Sequence, residues 1–158
     1  YAQDHGEALY RRSLYVFWRR IVGPTLFFDV ANRQTCTVKT PRTNVPLHAL
    51  LTLNDVTYLE AARVLAGRIL SDGGSDADGL ERAARWVLDR ECTAEERAVL
   101  ESGLRRHLAH YTAHPEDARR LVTSGEAPGT PGLDPARHAA WTVVCNLLLN
   151  LDEALTKE

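Results

Sequence analysis

The residues best suited to chemistry lie in one stretch, Phe28 to Asp55, reading FDVANRQTCTVKTPRTNVPLHALLTLND. Asp29 and Asp55 are carboxylates able to act as general acid or base, and His48 titrates near neutral pH and could shuttle protons. Arg33 and Arg42 carry planar forks that hold a carboxylate or sulfate through two bonds, with the Asn44 amide beside them as a further ligand-binding group. His48 and Asp55 would share one face if a single helix ran through both. Together these groups compose a candidate site for hydrolysis or for carbohydrate processing. They have a second use. An irregular segment crossing a helical core makes few backbone bonds of its own, so its polar side chains serve as caps and clasps. Structural ion-pair networks imitate sites, and both readings stay open at this point.

Two weaker constellations lie elsewhere. His107, His110 and His114 fall within about 60° of one another on an α-helix, so neighbouring pairs could chelate a metal. No fourth ligand is specified, and the tract sits in the last turns of its helix, where imidazolium simply complements the dipole. Cys36 has His48 as its nearest candidate base in sequence, but nothing holds the two together.

The elements that must position these groups read as helices. From Glu7 to Val22 an apolar face (Tyr10, Leu14, Phe17, Trp18, Ile21) opposes Arg11, Arg12, Arg19 and Arg20, and Gly23-Pro24 ends the element. Residues 23–45 form the irregular polar segment. Pro46 opens a short helix, and Asn54 or Asp55 caps the next, which runs to about Leu70 with Leu59, Ala62, Ala66 and Ile69 inward. SDGGSDADG is a loop. A helix follows from Ala77 to Glu91, then one opened by the Thr93–Glu96 capping box and running to about His114. Pro115 starts a short helix to Val122, and Asp134-Pro135 starts the last. That last helix, through WTVVCNLLLNLDEAL, is apolar nearly all round and therefore central. Asn146 and Asn150 inside it need partners, Cys145 is a buried small hydrophobe, and Asp152, near the apolar stripe, calls for a buried arginine such as Arg12 or Arg19.

The fold expected is all-α: about six helices in a single domain over residues 1–158, with the polar segment packed across the bundle. A chain of 158 residues needs no staples to fold. A net charge of -2 lacks the basic excess of nucleic-acid binders, and no apolar run reaches the roughly 20 residues of a membrane span. Three cysteines, with no CxxC, give neither a disulfide framework nor a zinc ribbon nor a c-type haem motif. The chain contains no Met, an initiator included, which suggests the C-terminal piece of a longer multidomain protein.

Four segments together resemble one family. RRSLYVFWRR, FDVANRQTCTV, RTNVPLHALLTLNDVTYLEAARVLAGRIL and AWTVVCNLLLNLDEAL are similar, in this order, to the C-terminal half of domain-of-unknown-function family fifteen-fifty-three. That family is a planctomycete surface-protein domain associated with cytochrome c. The resemblance implies a missing N-terminal half as packing partner, a secretion signal and a cytochrome-c-like haem domain upstream, and a periplasmic or cell-envelope location. It implies haem outside this chain and no cofactor within it. It carries no catalytic residue over. The expected function is a structural or interaction module of such a protein; the alternative is a hydrolase or carbohydrate-processing domain using the 29–55 segment.

Overall fold

The computed structural model describes His5, Gly6, Ala8 and residues 46–155, with the backbone alone at Leu47 and His48. The expected helix over 7–22 and the segment 23–45 lie outside the described residues. Every element among those described is a helix: α1 (Pro46–Asn54), α2 (Val56–Ser71), α3 (Asp76–Leu88), α4 (Ala94–Ala113), α5 (Pro115–Val122), α6 (Pro135–Leu149) and the single turn α7 (Asp152–Leu155). The fold is all-α.

Each start is dictated locally. The first amides of a helix have no internal acceptor, so an oxygen just outside must supply one. Asp55 accepts from Thr57 and Tyr58 amides at the start of α2. Ser75 with Asp78, and Thr93 with Glu96, close reciprocal capping boxes on α3 and α4. Asp134 takes the Arg137 amide of α6, whose first residue is a proline. Pro115 opens α5 without a side-chain cap.

Two ends fall earlier than the apolar pattern suggests. α3 stops at Leu88 rather than Glu91, because Asp89 turns into the left-handed region at φ 58° while its N–H still bonds the Arg85 carbonyl. The last helix stops at Leu149: the Asn150 amide is drawn back to carbonyls of the final turn, and the chain restarts as α7. This break lifts Asp152 off the apolar stripe. It lies exposed in the first turn of α7, where the helix dipole favours a carboxylate, and not inside the bundle as its spacing suggests.

The core gathers on α6, which packs chiefly against α2, α4 and α5. Trp141, Val144, Cys145 and Leu148 of α6 meet Ala62, Ala66 and Ile69 of α2, Leu80 and Ala83 of α3, and Leu104 of α4. The small residues along α2 let its axis approach α6 closely. None of the helices among the described residues is long and apolar enough to cross a membrane.

A doubly forked arginine ties α7 down. Arg90 donates to both oxygens of Glu96 (2.8 and 2.9 Å) and both of Glu153 (2.8 Å each). The Arg90 bonds and the Thr93 amide hold the Glu96 carboxyl down to about 2, and Arg90 likewise lowers Glu153. A carboxylate with a depressed folded pKa stabilises above its unfolded value and loses that contribution as pH falls towards the folded one. Amide exchange in α7 is therefore expected to quicken as pH drops from about 4.5 towards 2, relative to intrinsic rates. Arg90→Ala should quicken it at neutral pH too. Exchange in α7 indifferent to both changes would show the tether to be idle.

Candidate functional site

Of the residues that sequence marks for chemistry in the 29–55 stretch, Asp29, Arg33, Cys36, Arg42 and Asn44 lie outside the described residues. His48 belongs to α1, its side chain again outside them. Asp55 is described, and its carboxylate is committed to the N-terminus of α2, at 2.9 Å from the Thr57 amide. The structure thus gives Asp55 a capping role.

The histidine tract does not converge on one point. His110 and His114 are exposed and stack ring on ring, centroids 4.6 Å apart, while His114 Nδ1 reaches the His110 carbonyl at 2.9 Å. His107 is half-buried, its Nε2 covered and without a partner. Among the described residues no group of three His, Cys, Asp or Glu side chains is placed to hold a metal ion.

Burial pushes the His107 imidazole below its ordinary value, with Arg106 and His110 adding to the shift. The folded state then binds fewer protons there than the unfolded chain, so stability is complete above about pH 6.5 and declines as pH falls below it. The urea midpoint is expected to drop between pH 7.5 and 5.5, and His107→Gln should flatten the drop. An unchanged pH dependence in that variant would remove His107 as its source.

The polar groups that do converge are ones the apolar pattern passes over. Glu60 and Arg63, a helical turn apart on α2, are both buried, Arg63 being 2% exposed. Arg63 donates to the carbonyls of Ser124 (3.1 Å), Ala127 (2.6 Å) and Pro128 (3.4 Å). Glu60 accepts the amides of Glu126 and of Ala127 (2.9 Å). One acid and one base therefore meet both kinds of backbone group in the loop between α5 and α6. Gly125 is required there: at φ 86° it adopts a conformation that side chains rarely take, and the Glu60 carboxylate occupies the place of a Cβ. The outer side of the loop holds the chain start, since Glu126 accepts the Gly6 amide at 2.9 Å and contacts His5 at 2.7 Å.

His138 continues this network inward. Its Nε2 sits 2.9 Å from the Arg63 carbonyl, so that nitrogen carries the proton, and Thr142 donates to the His138 carbonyl at 2.8 Å. At the other end of α6 the two asparagines find the partners they need. Asn146 donates to the Leu53 carbonyl at 3.1 Å, Asn150 donates to the Ala49 carbonyl at 3.3 Å, and Asn150 accepts from the Thr52 hydroxyl. α1 is thereby pinned to α6.

Among the described residues, Glu60 and Arg63 thus hold backbone amides and carbonyls of this loop. The Cys145 thiol, fully buried, is pushed up to about 12 and is no nucleophile. Cys92 is raised as well, first by burial. The signal for Arg63 was available in the sequence: it stands four residues after Leu59 and three before Ala66, on the stripe itself.

Comparison with known proteins gives a match to one family model, described as a protein of unknown function (DUF1553), over residues 1–104. No curated protein and no solved structure matches the chain. The matched span takes in the first three of the four resembling segments and ends within α4.

Proposed function

The chain belongs to the DUF1553 family of proteins of unknown function, and from that premise we propose that it is a non-catalytic structural and interaction module of a larger, haem-associated envelope protein. In this reading it packs against a segment preceding it in the same polypeptide. Haem sits in a cytochrome-c-like domain of that polypeptide, and the whole works in the periplasm or cell envelope.

One observation carries the docking surface. Leu50 (58% exposed) on α1, Leu147 (42%) in the last turn of α6 and Leu151 (42%) just after it are neighbours in sequence of Ala49 and Asn150, whose hydrogen bond pins α1 to α6. Val56, at the start of α2, is exposed beside them in sequence. Apolar side chains grouped around one junction mark an interaction surface, whereas scattered single ones need no explanation. The opposing reading, a hydrolase or carbohydrate-processing site on Asp29, Arg33, Arg42, His48 and Asp55, has its described member already spent as a helix cap.

The test is a titration of this chain with the separately produced preceding segment at 50 and 300 mM salt. Apolar docking predicts an affinity nearly independent of salt and weakened at least tenfold, about 1.4 kcal/mol, by Leu147→Asp. Binding that collapses at high salt would instead assign the contact to charge, as in electron-transfer docking. Absence of binding at either salt would overturn the module.

A further inference from the structure

We propose that Arg90 is a positioning residue for the docking corner: by holding α7 through Glu153 it fixes Leu151 where the preceding segment meets it. The inference rests on the docking reading above and deepens it, since Arg90 belongs to the turn between α3 and α4 and to neither helix of the corner.

Leu151 stands between two attachments. Before it, Asn150 is bonded to Ala49 and Thr52 of α1. After it come the four residues of α7, and the amides of Ala154 (3.0 Å) and Leu155 (3.1 Å) close back on the Leu151 carbonyl. α7 is thus built on the backbone of Leu151. A single turn does not hold itself, because isolated helices shorter than about 12–15 residues are marginal in water. Its hold is tertiary: α7 packs against α3 and α6, and both Glu153 oxygens accept from Arg90.

Lone surface ion pairs contribute little, but bidentate geometry and networks of several charges are the exceptions. Arg90 combines the two. Its other pair of bonds goes to Glu96, whose carboxylate also accepts the Thr93 amide at 2.8 Å and so belongs to the capping box of α4. A further bond to the Glu91 carbonyl, at 3.0 Å, steadies the guanidinium from its own turn. The fork is therefore anchored on α4 before it reaches α7, and Glu153 receives a prepared partner. Without that partner α7 unwinds, Leu151 loses its fixed place, and docking must restore the order at its own cost.

Amide exchange in α1 is the readout, compared between this chain alone and the longer polypeptide in which the preceding segment is joined to it. Glu153→Gln removes the charge of the tether, and Arg90→Lys keeps a cation without the double fork. In the longer polypeptide each is expected to lower α1 protection roughly three- to tenfold, the cost of ordering about one side chain at a contact. In the chain alone α1 should exchange as before, while α7 quickens. The double variant should lose no more than the weaker single, since both cut one tether. Glu91→Gln, which removes only a surface pair with Arg85, should change nothing in α1. α1 rates unmoved in the longer polypeptide, or moved equally in both proteins, overturn the positioning role and leave the docking module standing. Additive losses in the double variant mean separate contacts and overturn it too, as does an α7 indifferent to both variants. An unaltered longer polypeptide that gives α1 no added protection overturns the module and this inference together.

Discussion

Arg63→Ala is expected to lower the unfolding free energy by about 3–5 kcal/mol, because several buried carbonyls lose their donor at roughly 1–3 kcal/mol each. The guanidinium is 2% exposed and satisfies three carbonyls of the loop joining α5 to α6. Removing it leaves those carbonyls without their donor. Domains of ordinary stability hold about 5–15 kcal/mol in reserve, so the variant should sit near the edge of folding. Arg63→Met separates the causes. Buried ion pairs can often be exchanged for apolar groups without loss, but here the partners are backbone carbonyls that no apolar group can meet. Methionine should therefore restore packing and still cost more than half as much as alanine. Urea unfolding followed by circular dichroism measures both. A loss under about 1 kcal/mol for either would mean that water or the free loop satisfies these carbonyls equally well.

Trp141→Ala should cost about 3–5 kcal/mol as well, through lost burial and the cavity left behind. Gly79 shows how tightly that indole is seated. A Cβ on Gly79 would stand 2.7 Å from the ring edge of Trp141 and 3.2 Å from a methyl of Ile69. Glycine to alanine inside a helix ordinarily stabilises by roughly 0.5–1 kcal/mol. Overpacking costs about 1–3 kcal/mol and outweighs that gain here, so Gly79→Ala is expected to destabilise. With the indole removed the sign should reverse: in a Trp141→Ala background, Gly79→Ala recovers its helix gain. A double-mutant cycle by denaturant unfolding reads the coupling directly. Additive effects would show that the ring does not press on the first turn of α3.

What could be foreseen from the residues was local. The Thr93–Glu96 box, the Asp55 cap, and the openings at Pro115 and Asp134-Pro135 each depend on residues within a turn of one another, and each stands where expected. Asn146, buried, and Asn150, half-buried, could be recognised as needing partners. Their partners could not, because they lie about a hundred positions earlier in α1. The place of Arg63 on the apolar stripe is legible, but the partners of Arg63 and Glu60 are not, since they lie in a loop more than sixty residues downstream. The end of α3 turns on one left-handed aspartate, and Asp152 was misplaced by running one helical period through a break that Asn150 introduces. Of the candidate site in the 29–55 stretch, the part within the described residues is Asp55 and the backbone of α1, and there the carboxylate proves to be a cap.

The docking corner is where the functional reading meets the structure, and amide hydrogen exchange tests it most directly. Exchange is compared between this chain alone and the longer polypeptide in which the preceding segment is joined to it. Backbone amides of α1 and of residues 147–151 should exchange at least tenfold more slowly in the longer protein, while the loop held by Arg63 exchanges alike in both. Equal rates at the Leu50, Leu147 and Leu151 corner would contradict the proposed module.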